Sequence, residues 1–103
     1  MSYDFAEDLS RLLDNPVSGI GKISAEKASK ELYRRGVTLS AAHIRNLQKG
    51  HSPSNLSALE LLALSDLLTG DKMYIMYKLG YFDKASAESF AAADEIYRRI
   101  YGN

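Results

Sequence analysis

Residues 24–50 read SAEKASKELYRRGVTLSAAHIRNLQKG, and this stretch decides the fold. Ser24 and Ser40 each stand just before a run with apolar residues at helical spacing, and serine is a preferred residue at the N-cap of a helix. Gly36 follows the first run and Gly50 follows the second, as expected of glycine just beyond a helix C-terminus. The stretch therefore predicts two short helices joined by a connection of about four residues.

Two short helices joined by a brief turn that contains glycine are typical of a helix-turn-helix. At about 100° per residue, Ile44 and Leu47 lie on one side of the second helix, which predicts that this side faces the core. Leu39 before the cap and Ile44 after it fit a hydrophobic staple, which fixes the angle at which the chain starts the helix.

The opposite side of this helix has the chemistry of base recognition and carries no acidic residue. Asparagine suits adenine, arginine suits guanine, and an alanine methyl can contact the methyl group of thymine. An amphipathic helix whose polar side is only solvated would show the same pattern. The residues expected to face bases are Ala41, Ala42, His43, Arg45 and Asn46.

Residues at the two ends of the helix are placed for the DNA backbone. Ser40 can offer its hydroxyl and the first helix amides to a phosphate, while Lys49 at the other end brings a positive charge. The residues expected to contact phosphate are Thr38, Ser40, Lys49 and His51.

The remaining sequence predicts only helices, because no part of it alternates apolar and polar residues for long enough to form a sheet. Ser57 and Glu60 fit a capping box, and the helix that follows is apolar around most of its circumference, which predicts that it is buried. The predicted helices run from Asp4 to Asp14, from Ser24 to Gly36, from Ser40 to Lys49, from Ser57 to Thr69, from Asp71 to Leu79 and from Ala85 to Tyr101.

Charge is unevenly distributed along a chain of 103 residues whose formal net charge is zero. Residues 20–55 carry seven basic and two acidic residues, a local net charge of +5, whereas segments 1–19 and 56–103 are both net acidic. A local basic patch is what contact with phosphate requires, although charged residues also solvate ordinary helix surfaces.

An enzyme, a metal site and a cofactor are not expected. The chain has no cysteine, and His43 and His51 have no acidic residue near them in sequence. The acidic pairs Glu7–Asp8 and Asp94–Glu95 are sequence neighbours, which diverge around a helix instead of converging on a substrate. The sequence has no run of about 20 apolar residues, so we expect a cytoplasmic, nucleoid-associated protein. No effector pocket is evident, so no small-molecule effector is expected.

The pattern of small, apolar and turn residues resembles the Cro/repressor (Xre-type) helix-turn-helix family over roughly residues 4–70. The likeness is greatest to the actinobacterial regulators associated with ESX secretion, which share the start of the first helix and the long loop after it. The residues that carry this resemblance are Phe5, Ala6, Leu9, Arg11, Leu12, Ala25, Ala28, Leu32, Gly36, Val37, Thr38, Leu39, Ser40, Ala41, Ile44, Leu47, Gly50, Pro53, Ser54, Leu61, Leu64 and Leu67.

The resemblance implies an all-α, Cro/repressor-like bundle of about five helices plus a C-terminal helix, and a repressor-like regulator that binds double-stranded DNA. Residues 1–70 would form the DNA-binding domain, and 71–103 would form a helical extension of the same compact unit. Three positions depart from the family. Ser65 replaces a small apolar residue, and Ala41 and Ala42 stand where many members have longer polar side chains, which shifts recognition onto His43, Arg45, Asn46 and DNA shape.

Aromatic residues and methionines are concentrated beyond Gly70, and such side chains are enriched at protein interfaces. We expect a homodimer formed through this segment, as members of the family often dimerise here. A protein-interaction module that keeps the fold without binding DNA is the alternative. The residues expected at the dimer contact are Tyr74, Tyr77, Phe90, Tyr97, Ile100 and Tyr101.

Overall fold

Helices form the whole framework of residues 3–102, the part of the chain that the structure, a computed structural model, describes. No strand occurs within this range, so the predicted all-α class is confirmed. Within these residues a single 3-10 turn, Pro53–Asn55, precedes the fourth helix. The six α-helices of the described part are α1 (Phe5–Asp14), α2 (Ala25–Arg34), α3 (Ala41–Gln48), α4 (Ala58–Thr69), α5 (Tyr74–Leu79) and α6 (Lys84–Tyr101).

Serine side chains fix where three of the helices begin. The hydroxyls of Ser24, Ser40 and Ser57 each accept a hydrogen bond, 3.1 Å long, from the backbone N–H three residues later. The Glu60 carboxylate in turn accepts from the Ser57 N–H at 2.7 Å, which completes the predicted capping box. These bonds satisfy amides that have no partner within the helix, so the predicted starts of α2, α3 and α4 are confirmed.

Helix α4 is the centre of the fold. It contacts α1, α2, α5 and α6, and the apolar character of most of its circumference matches this position. Its buried residues are Leu61, Leu62, Ala63, Leu64, Ser65, Leu67 and Leu68.

Helix α5 begins at Tyr74 and not at the predicted Asp71. The Asp71 carboxylate accepts from the Met73 N–H at 3.0 Å, which holds a turn ahead of the helix. Ser65 is fully buried, donates its hydroxyl to the Asp71 carbonyl at 2.6 Å, and accepts from the Ile75 N–H at 3.2 Å. Ser65 thus ties α4 to the start of α5, and its buried hydroxyl is satisfied.

Helix α6 lies against α4 and contacts Arg35 and Gly36, the residues directly after α2. The Tyr97 hydroxyl donates to Asp66 Oδ2 at 2.6 Å and accepts from Arg35 Nη1 at 2.9 Å, while Arg35 and Asp66 also pair directly at 2.9 Å. The Arg35 guanidinium lies 4.4 Å from the centre of the Tyr101 ring, which stacks on Tyr97. This cluster joins α2, α4 and α6. Among the described residues, no helix has both the length and the apolarity needed to cross a membrane.

Candidate nucleic-acid interface

Helix α3 has one buried side and one exposed side. Ile44 and Leu47 are completely buried, and Leu39 before the N-cap is buried with them in the core cluster. The hydroxyl of Ser29 on α2 donates to the Leu39 carbonyl at 2.6 Å, which holds the connection between the two helices. The buried residues and this hydrogen bond therefore hold α3 in place with its opposite side exposed.

The five residues predicted to face bases differ in exposure. Ala42 and Arg45 are exposed, whereas Ala41, His43 and Asn46 are half-buried. Of the residues with side chains long enough to reach into a groove, Arg45 is thus the most accessible. Ala42 is also exposed, but it could offer only a methyl contact.

The residues predicted to contact phosphate are all exposed: Thr38, Ser40, Lys49 and His51. The Ser40 oxygen already accepts the His43 N–H, so Ser40 has its hydroxyl hydrogen left to donate. The amides of the first turn, apart from the one Ser40 binds, have no acceptor within the helix and point outward from its N-terminus. The His51 N–H donates to the Asn46 carbonyl at 3.1 Å, which fixes the loop directly after α3.

An acidic residue that the sequence pattern did not place here lies beside Arg45. Glu26, in the first turn of α2, forms an ion pair with Arg45 Nη1 across the gap between the two helices. Its own backbone amide and then the Arg45 guanidinium hold the pKa of the Glu26 carboxyl below its ordinary value. A negative charge on α2 therefore lies beside the exposed side of α3, although α3 itself carries no acidic residue.

The basic segment is also less positive in three dimensions than in sequence. Four of its seven basic residues are in ion pairs, two of them with acidic residues from outside the segment. The pairs are Lys22–Asp14, Arg34–Glu31, Arg35–Asp66 and Arg45–Glu26. Within residues 3–102, Lys27, Lys30 and Lys49 are exposed and take part in no ion pair, so these three lysines are the basic residues of the segment that remain fully available to an anion.

Two of the residues predicted at a dimer contact are inside the protomer. Phe90 is 4% exposed and Tyr97 is 1% exposed, because both pack into the core, so neither offers surface to a partner. Tyr74 is half-buried, and its hydroxyl donates to Asp8 at 3.0 Å.

The other three predicted dimer residues are exposed. Ile100 and Tyr101 lie over Gly36 and Arg35 respectively. Tyr77 is 57% exposed and stands 5.9 Å, between ring centres, from Phe82, which is 66% exposed. Phe82 was not among the predicted residues, and its position next to Tyr77 depends on the turn between α5 and α6.

Metal-binding groups do not converge in this part of the molecule or elsewhere in residues 3–102, where no cluster of three or more His, Cys, Asp or Glu side chains could hold an ion. His43 and His51 are separated along α3 and the loop after it. No family model, no curated protein and no solved structure gives a significant match to this chain.

Proposed function

We propose that this chain is a sequence-specific, repressor-like DNA-binding regulator. In this proposal α2 and α3 form a helix-turn-helix of the Cro/repressor type, and α3 enters the major groove. The observation that carries the proposal is the two-sided character of α3. Ile44 and Leu47 are completely buried on one side of the helix. Ala42 and Arg45 are exposed on the opposite side, and Lys49 is exposed at its C-cap.

The size of α3 suits this role. An α-helix with its side chains is about 10–12 Å in diameter, which fits a major groove about 12 Å wide in B-DNA. Arg45 would contact a base edge, and Lys49 at the end of the helix would contact a phosphate. Lys27 and Lys30 on α2 would add two further phosphate contacts beside the groove.

Binding to random-sequence duplex DNA at rising salt concentration tests the proposal. If Lys27, Lys30 and Lys49 each neutralise one phosphate, the slope of log K against log salt is about −2.7 per protomer. Affinity should then fall about 40-fold between 50 and 200 mM salt. Absence of binding at 50 mM, or binding that does not respond to salt, would contradict the proposal.

Single substitutions separate base contacts from phosphate contacts. Arg45→Ala and Asn46→Ala should each reduce discrimination at one base pair by about 1–3 kcal/mol, whereas Lys49→Ala should weaken all sequences alike. Identical behaviour of the three variants would contradict this division of roles.

A homodimer would place two α3 helices about 34 Å apart, one turn of DNA. Phe90 and Tyr97 are inside the protomer, so the residues predicted for this contact that remain exposed are Tyr77, Ile100 and Tyr101, with Phe82 next to Tyr77. Size-exclusion chromatography with light scattering tests this part. A strict monomer at high micromolar concentration would contradict it.

A protein-interaction module is the second candidate function. It is favoured by the exposed Tyr77–Phe82 pair and by the ion pairing of four of the seven basic residues in the central segment. The salt titration discriminates between the two, because this candidate requires no binding to DNA even at 50 mM salt.

A further inference from the structure

The ion pair between Glu26 and Arg45 joins the start of α2 to the exposed side of α3. It involves Nη1 of Arg45 and Oε2 of Glu26, two residues that are 19 positions apart in the chain. Within residues 3–102, Nη2 and Nε of Arg45 form no hydrogen bond. Nη1 is therefore held by Glu26, and the edge formed by Nε and Nη2 is left to a ligand.

The carboxylate is present in its charged form across the neutral range. Glu26 lies in the first turn of α2, where the helix dipole favours negative charge. Its backbone amide, and after that the Arg45 guanidinium, lower the pKa of the Glu26 carboxyl. The partner of Arg45 is thus an anion whenever DNA approaches.

A held arginine and a mobile arginine differ in what they recognise. The guanidinium is a planar fork of five N–H donors, and guanine takes two of them through O6 and N7. The Nε–Nη2 edge of Arg45 can supply those two donors while Nη1 stays on Glu26. Without the carboxylate, a side chain that is 47% exposed could swing to any nearby phosphate, a contact that carries no sequence information.

We propose that Glu26 is a positioning residue that sets the specificity of Arg45, an inference that rests on the proposed function. It holds the guanidinium toward one base edge and repels phosphate from it. Glu26 thereby lowers affinity for DNA in general and raises discrimination at one base pair.

The test compares Glu26→Gln with Glu31→Gln as the matched control. Both changes remove one negative charge from α2, but Glu31 pairs with Arg34 and not with Arg45. Each protein is titrated with random duplex DNA, and with the duplex that the wild type selects from a random pool, together with its single-base-pair variants. The base pair that depends on Arg45 is the one at which Arg45→Ala loses discrimination.

A bidentate arginine–guanine contact discriminates by about 5- to 150-fold. Glu26→Gln should lose most of that factor at the Arg45-dependent base pair and should bind random DNA more tightly than Glu31→Gln does. The double variant Glu26→Gln/Arg45→Ala should discriminate no worse than Arg45→Ala alone, because Glu26 acts through Arg45.

Three results would overturn the inference. If Glu26→Gln behaves like Glu31→Gln while the wild type selects a sequence, the positioning role is wrong and the proposed function stands. If Glu26→Gln discriminates better than the wild type, Glu26 competes with the base and does not position Arg45. If the wild type binds no DNA at low salt, the proposed function fails and this inference fails with it.

Discussion

Replacing Tyr97 by phenylalanine should destabilise the protein measurably without changing its fold. The substitution keeps the buried ring and removes only the hydroxyl, which donates to Asp66 at 2.6 Å and accepts from Arg35 at 2.9 Å. A hydrogen bond to a charged group contributes about 1.5–3 kcal/mol. The direct Arg35–Asp66 pair remains at 2.9 Å, so neither charge is left without a partner.

The expected loss of unfolding free energy is therefore about 2 kcal/mol, below the sum for two independent bonds. For a domain of about 100 residues this lowers the melting temperature by about 10 °C. Urea titration followed by circular dichroism measures the free energy of unfolding, with Tyr77→Phe as the control. Tyr77 is exposed, and its hydroxyl forms no hydrogen bond within residues 3–102, so this control should stay within about 0.5 kcal/mol of the wild type.

The pH dependence gives a second measurement on the same variant. Burial, together with the bond to Asp66, raises the pKa of Tyr97, and Arg35 offsets part of that increase. A raised pKa in the folded state stabilises the protein below the unfolded value of about 10, and this stabilisation is lost as the pH rises above it. The gap between wild type and Tyr97→Phe should narrow above pH 10. If the two proteins have the same stability at pH 7, the coupling of α6 to α2 and α4 through this hydroxyl is refuted.

Two further substitutions test other contacts of the fold. Gly36→Ala and Gly70→Ala both place a Cβ at a positive φ, +83° and +77°, but only the one at Gly36 would overlap the Ile100 side chain. Gly36→Ala should therefore be less stable than Gly70→Ala by about 1 kcal/mol or more in urea titration, and equal losses would show that α6 does not rest on Gly36. Burial alone would raise the pKa of Asp8, but hydrogen bonds from Tyr3, Arg11 and Tyr74 hold it below its ordinary value. A lowered pKa stabilises the folded state above about pH 4 and is lost on acidification, so the stability difference between wild type and Asp8→Asn should be largest near neutral pH and shrink below pH 4. A difference that does not change with pH would contradict the ionic role of Asp8.

The starts of the helices were predictable because the interactions that fix them are local. The hydroxyls of Ser24, Ser40 and Ser57 act on amides three residues away, within the reach of a sequence pattern. The start of α5 was not predicted correctly, because the Asp71 carboxylate binds the Met73 N–H ahead of the helix and the hydroxyl of Ser65, on α4, accepts from the Ile75 N–H in its first turn. A helix start can be predicted from neighbouring residues only when no side chain from another helix binds the amides of its first turn.

The candidate site was predictable in part for the same reason. Helical spacing alone identifies the sides of α3 that carry Ile44 and Arg45, because the spacing is a property of the helix. The exposure of His43 and Asn46 depends on what packs beside α3, and both are half-buried. The burial of the C-terminal aromatic residues likewise depends on how α6 packs against α4, and Phe90 and Tyr97 are buried in the core.

The sequence by itself determined that residues 24–50 form two capped helices with one apolar side on the second, because caps and helical periodicity act over three or four residues. Only the tertiary structure decided which charges meet. Glu26 and Arg45 are 19 residues apart, and Arg35 and Tyr97 are 62 residues apart. Coulombic and hydrogen-bond energies depend on distance in space, so the available charge around α3 could be counted only after the helices were packed.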